Sequence, residues 1–289
     1  MKITYLLLTV TLTIIMLQAY TQTDTTKNNS DTIHVGGMII IKKVSSNVAG
    51  SKVETQSQKH RSHVSTSEAI FDLGFANWSD HTDYTALTGQ QVVVNRLGQP
   101  ALNKNDMKLR VGKSSNVNIW FFMQRLNLVK RYISLKYGLG LELYNFRFSS
   151  PVSFKESGPN PYAPGSNISH PFLLRDSISF SKNKLSTDYV TIPFMLNLRA
   201  DPNHDKRTFS ISAGVSVGYL YSSRNKQVSS ERGKRKNHGD YDIENWKFSY
   251  VGEVGLGPIR LYGSYTPASI FQNGLSLLPY SVGIRFSNW

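Results

Sequence analysis

Residues 132–148 read Tyr-Ile-Ser-Leu-Lys-Tyr-Gly-Leu-Gly-Leu-Glu-Leu-Tyr-Asn-Phe-Arg-Phe. Ile133, Leu135, Tyr137, Leu139, Leu141 and Leu143 alternate with Ser134, Lys136, Gly138, Gly140 and Glu142. A period of two sets these groups on opposite faces of a strand. Wound as a helix, the same residues would scatter the leucines all round, and each interior glycine would cost about 1 kcal/mol. The strand is also long. Ordinary strands run to about 5–6 residues, whereas a tilted strand crossing a bilayer needs roughly 9–11. An apolar face backed by a small or charged one suits lipid outside and a narrow packed lumen inside. A half-buried strand of a soluble sandwich is the competing reading, and recurrence of the pattern decides between them.

The pattern recurs seven times. Ala69–Asn77 sets Ala69, Phe71, Leu73 and Phe75 against Asp72 and Gly74, and Val117–Leu128 sets Val117, Ile119, Phe121 and Met123 against Asn118 and Gln124, with Trp120 and Phe122 blurring the polar face. Val190–Arg199, Phe209–Tyr221, Trp246–Leu256, Ile259–Tyr265 and Leu278–Phe286 follow the same rule. The connections run long (78–115), short (129–131), long (149–186), short (201–207), long (222–245), very short (257–258) and medium (267–277). Such alternation is the signature of a transmembrane barrel with short turns at one end and long loops at the other. The expected fold is all-β: an eight-stranded antiparallel transmembrane β-barrel of outer-membrane type.

Composition narrows the rest. No apolar run after the N-terminus reaches 18 residues, which argues against spanning helices and leaves a barrel open. There is no cysteine, hence no disulfide, thiolate chemistry or cysteine metal site. Lys2, the apolar core Tyr5–Leu17 and Ala19-Tyr20-Thr21 read as a signal peptide over residues 1–21. Residues 22–67 are expected to hold a short periplasmic hairpin around Gly36-Gly37 and a polar linker from Val44 to Ser67. The barrel domain then covers 68–289, with both of its ends periplasmic.

With these residues in hand the chain resembles the PorT-like outer-membrane β-barrel group of Bacteroidota, from about Ala69 to Trp289. The resemblance is carried by Ser181-Lys182 to Leu185, Tyr189-Val-Thr-Ile192-Pro193, Gly214-Val-Ser-Val-Gly218-Tyr219, Leu261-Tyr262-Gly-Ser-Tyr265, Phe271 and Gly283-Ile284-Arg-Phe286. Residues 31–43 are similar to the lead-in that many members carry. It implies a fold and a location, not an activity. Such barrels tend to end on an aromatic residue in phase with the lipid face, but Trp289 is out of phase with Phe286. Either the last strand bulges, or Phe286 carries the insertion signal and Trp289 sits at the interface.

Candidate sites are of two kinds. Strand phase turns Asp72, Lys136, Glu142, Arg199, Lys247, Glu253, Arg260 and Arg285 inward. Eight strands leave an interior that side chains fill, and buried ions need partners, so a lumenal charge network is expected rather than an ion pathway. The second kind is the basic segment Arg224, Lys226, Arg232, Lys234, Arg235 and Lys236, which lacks the interleaved aromatics of a nucleic-acid platform. A solvated loop is its plain reading; contacts to lipopolysaccharide phosphates are the sharper one.

Other motifs carry less. Gly214-Val-Ser216-Val-Gly218 matches a nucleophile elbow in letters only, because no helix follows it. Asp240, Asp242 and Glu244 lack the glycine and length of a calcium loop. The histidines, among them His170, His204 and His238, show no ligand spacing. Pro193 within a good strand predicts a bulge or kink. No metal, cofactor or catalytic residue is assigned. The expectation is a non-enzymatic structural or interaction barrel with outer-membrane lipid, lipopolysaccharide and envelope or secretion-machinery proteins as partners. The alternatives are a low-conductance channel, a secretion accessory barrel and a lipid-modifying enzyme.

Overall fold

The computed structural model describes residues 32–35, 38–41, 63–129, 131–201, 208–256 and 259–287. The chain divides into two units, 1–62 and 63–289. In the first, β1 (Thr32–Val35) and β2 (Met38–Ile41) pair antiparallel; the Gly36-Gly37 turn expected between them lies outside the described residues. The expected signal peptide, residues 44–62 of the expected linker and Trp289 lie outside the described residues.

The second unit runs in order through β3 (Val64–Asp80), α1 (Tyr84–Gly89), β4 (Val93–Val94), β5 (Ser115–Val129) and β6 (Ile133–Arg147). β7 (Val152–Lys155), β8 (Gly158–Pro159), β9 (Asn167–Ile168), β10 (Phe172–Arg175) and β11 (Lys182–Arg199) come next. β12 (Phe209–Ser229), β13 (Gly233–His238), β14 (Trp246–Leu256), β15 (Ile259–Tyr265) and β16 (Leu277–Phe286) complete it. Eight of these strands pair antiparallel in the cyclic order β3, β5, β6, β11, β12, β14, β15, β16, and β16 returns to β3. The ring is closed, so no ring strand offers a free edge there.

Alternation decides the faces. Along β11, Val190, Ile192, Phe194, Leu196 and Leu198 are exposed outward while Thr191, Pro193, Met195, Asn197 and Arg199 are buried. β12 repeats this with Phe209, Ile211, Val215, Tyr219 and Tyr221 outward and Ser210, Ser212 and Ser216 inward. Phe71, Leu73, Phe75, Phe248, Tyr250, Leu261, Tyr265, Tyr280, Val282 and Ile284 extend the same exposed apolar belt around the ring.

Four features depart from the sequence reading. β3 begins at Val64, inside the segment read as linker, because Val64–Ser67 pair with Met123–Leu126 of β5. In β5 the register against β6 shifts between Trp120 and Phe122. That bulge exposes Phe121 and reverses the phase, so Met123 is buried in the ring rather than on the outer face and Gln124 is not inward. The directly facing Ala69 of β3 has a φ of 52°. Pro193 makes no bulge: β11 and β6 keep one register on either side of it, and the ladder is interrupted at Ile192 and Pro193, where the ring nitrogen has no hydrogen to donate. The shift in β11 lies instead between Asp188 and Tyr189.

Finally, the long connections fold. β10 pairs antiparallel with β7 and parallel with β4, and Asp83 caps α1 by accepting from the amides of Thr85 and Ala86 at 3.0 and 3.2 Å. Inward ring residues Trp78, Phe146, Leu185 and Tyr189 form one apolar cluster with Phe154, Leu173, Tyr241 and Phe271 of the connections. The Trp78 ring lies 4.6 Å from that of Phe146, tilted by 36°, and its indole N–H donates to Met107 O at 3.1 Å. The connections therefore form a cap packed into one mouth of the ring.

Candidate functional site: the ring interior and a cationic strand extension

All eight charges that phase turns inward are buried. Burying an ion costs several kcal/mol unless partners replace water, and the ring supplies them. Asp72 accepts from Arg285 Nε and Nη2 at 2.7 Å each, from Trp120 Nε1 at 2.8 Å and from Asn118 Nδ2 at 3.0 Å. Arg285 Nη1 reaches on to Glu253 at 2.7 Å, where Lys136 and Arg260 also arrive at 2.7 Å. Nearer the capped end Glu142 pairs with Lys247, whose Nζ also lies 4.8 and 5.2 Å from the ring centres of Tyr144 and Tyr189. Arg199 follows Asn197 on the buried face of β11. Arg125 is a buried charge that sequence phase misses, because the bulge at Phe121 is what turns it inward. A second polar layer, Tyr144 to Ser264 at 3.2 Å and Ser264 to Ser281 at 2.7 Å, crosses the ring beside the Glu142–Lys247 pair, Lys247 Nζ donating to Tyr144 Oη at 3.3 Å.

The interior is full. Gly138 and Gly140 face Met123 and Trp120, and a Cβ on Gly140 would stand 2.6 Å from the Trp120 indole. The void between Asn118, Trp120, Met195, Tyr262 and Arg285 is about 20 Å³, room for about one water.

The basic segment is not a loop. β11 and β12 continue as paired strands through Lys182–Asp188 and Ser222–Val228, and β13 folds back on β12. This sheet sets Arg147 opposite Lys184, Lys184 opposite Lys226 and Lys226 opposite Lys236. Lys182 and Lys234 flank that row on one side and Arg224 with His238 on the other. Of the six cations read from sequence, Arg224, Lys226, Lys234 and Lys236 share this face. Arg232 lies in the β12–β13 turn and bonds Asp176 at 2.7 and 3.0 Å, while Arg235 pairs with Gln227 in the alternate phase. Arg147, Lys182 and Lys184 were missed, because only strand pairing carries them beside a segment about forty to eighty residues away.

Like charges directly opposite one another repel. Asp188, which acts on Lys184, is paired with Arg224. The amine of Lys226, beyond the apolar belt, is held below the ordinary lysine range chiefly by Lys182 and Lys234, with partial desolvation and Lys236 adding to it. Lys184 falls to about 8, first through burial and then through Lys182, Arg224 and Lys226.

The remaining motifs resolve structurally. Ser216 sits mid-strand in β12 with its side chain buried in the ring, and no helix follows. Asp242 holds the amide and side chain of Asn273 at 2.7 and 2.9 Å. His170 is exposed, His238 closes β13, and His204 lies outside the described residues. Among the described residues no cluster of three or more His, Asp or Glu side chains has the geometry of a metal site.

A closed antiparallel ring with an apolar exterior, an ion-paired interior and turns at one end against long connections at the other defines a membrane β-barrel. The chain belongs to the outer membrane protein beta-barrel domain family, whose model matches residues 56–271. Among curated proteins none matches this chain. Among solved structures it is similar to Ail, the attachment invasion locus protein of Yersinia pestis, crystallised with the heparin analogue sucrose octasulfate. The identity is 9%, the match covers 77% of this chain and 97% of that one, and the TM-score is 0.29. A porin of Rhodopseudomonas blastica matches at 9% identity over 78% of this chain and 99% of that one, with a TM-score of 0.17.

Proposed function

We propose that this protein is an eight-stranded integral barrel of the outer membrane that does not conduct and acts by interaction, in the manner of the PorT-like group of Bacteroidota it resembles. In this reading residues 1–21 direct export, residues 22–63 stay in the periplasm and the capped end faces outward. Lipopolysaccharide and envelope proteins are its partners. The observation that carries the reading is the interior: Asp72, Glu253, Lys136, Arg260 and Arg285 span the ring as one bonded network, beneath a mouth packed with Phe154, Tyr241 and Phe271. A solute would have to break several buried ion pairs to pass, at a cost of about 3–5 kcal/mol for each pair left half-made. Planar-bilayer recording tests this. Reconstituted protein gives no unitary current; steady currents that change on Lys136→Ala would establish a channel instead.

A further inference from the structure

The cationic rows lie on a particular face, and that face names their ligand. On β11, Lys182 and Lys184 are in phase with Val190, Ile192 and Phe194, and on β6 Arg147 is in phase with Leu139, Leu141 and Leu143. The cations therefore continue the outward apolar stripe of the same strands; they do not sit on top of the cap. Arg147 stands four residues past Leu143. That is about 13 Å along a strand and about 9–10 Å along the membrane normal for a tilt of about 40–45°. Headgroups occupy about 5–8 Å beyond the hydrocarbon on each side, and long basic side chains bend back over such a difference.

Resting on the barrel reading above, we infer that Arg147, Lys182, Lys184, Lys226, Lys234 and Lys236 form a lateral site for the phosphates of outer-leaflet lipid, of the lipid A class. Three features support it. Four cations stand directly opposite one another across β6, β11, β12 and β13, a row of about 14 Å at the usual strand spacing, which suits more than one phosphate. On β6, β11 and β12 the opposite face is buried, Asn225 and Gln227 packing under the cap where Gln227 bonds Ser153 at 2.8 Å, so these strands present their amines from a fixed frame, while β13 is exposed on both faces. And the repulsion within the row is relieved by bound anion, whereas Asp188, further along β11, is taken by Arg224.

The test is native mass spectrometry of the folded, detergent-solubilised chain titrated with lipid A. Its controls are dephosphorylated lipid A and free pyrophosphate. The variants are Lys184→Gln/Lys226→Gln/Lys236→Gln, the charge-keeping Lys184→Arg/Lys226→Arg/Lys236→Arg, and a charge-matched control in the connection after β3, Lys104→Gln/Lys108→Gln/Lys113→Gln. Wild type, the arginine variant and the control retain lipid A; the row variant binds at least tenfold more weakly, and dephosphorylated lipid A binds no better to wild type than to it. Equal binding by the row variant, equal loss in the control, or saturation of the row by pyrophosphate at the same concentration would overturn the lipid assignment. Heat-dependent gel mobility of each sample reports separately on the barrel. Without the folded band the barrel reading fails, whereas a folded band with no lipid A bound refutes the site alone.

Discussion

Arg285 and Asp72 stand directly opposite one another where the last ring strand meets the first, joined by two parallel hydrogen bonds of 2.7 Å. They are 213 positions apart in sequence. The strongest interaction geometry in the ring, a bidentate guanidinium–carboxylate pair, thus spans the seam whose closure makes the ring.

Removing one partner strands a buried charge. Asp72→Ala is expected to destabilise the folded barrel by about 3–5 kcal/mol, because Arg285 keeps only its bond to Glu253. Asp72→Ala with Arg285→Met should cost less than the sum of the single changes. Urea unfolding in vesicles reads both; additive losses would show that the pair is not coupled.

Gly140, inward on β6, and Gly263, in the outward phase of β15 opposite the exposed Val282, make a paired test of interior packing. A Cβ at Gly140 meets the Ile119 carbonyl and the Trp120 ring at 2.6 Å, whereas at Gly263 its closest neighbour is 3.5 Å away. Gly140→Ala should cost about 1–3 kcal/mol by overpacking and Gly263→Ala close to nothing. Equal tolerance would mean that the indole does not lie against β6.

The cap should melt before the ring. Phe154 packs 5.4 Å from Phe148 and 6.1 Å from Phe271, and Phe154→Ala should cost the cap about 3–5 kcal/mol. Limited proteolysis should then cut the connections while the ring fragments keep their heat-resistant band. Loss of that band together with the cap would make the two one cooperative unit.

Much of this was legible beforehand because the ring runs on local alternation. Val190–Leu198 and Phe209–Tyr221 show their faces without knowledge of any partner strand. What stayed hidden depends on distance or on count. The bulge at Phe121 adds one residue that no residue type announces, and Arg125 and Met123 change sides with it. The cap unites residues from four connections, none of which is periodic alone. The strand extension resembles a loop in sequence because both of its faces are polar: lysines outward, and Asn225 and Gln227 inward.

Lys184 gives the extension a pH dependence. Its amine loses its proton near 8 instead of 10.5, through burial and then Lys182, Arg224 and Lys226, with Asp188 opposing; Arg147 and Lys226 face it across the strands and Asn145 accepts its bond. Between those values the folded chain binds fewer protons than the unfolded one, so this group's contribution to stability rises with pH through that window. Anion binding moves the other way, since a neutral amine no longer attracts phosphate. Lipid A retention should fall from pH 7 to pH 9, and Lys184→Arg should flatten that fall because arginine stays charged. An unchanged profile in Lys184→Arg would place the titration elsewhere.

The outward belt is the claim on which the rest stands, and a chain without cysteine allows it to be read residue by residue. Single cysteines from Val190 to Leu198, each carrying a fluorophore, are folded into vesicles containing brominated lipid. Quenching should alternate, strong at 190, 192, 194, 196 and 198 and weak at 191, 193, 195 and 197, following the exposed and buried positions of β11. Uniform quenching, or quenching at every site by a water-soluble agent, would contradict a lipid-facing ring.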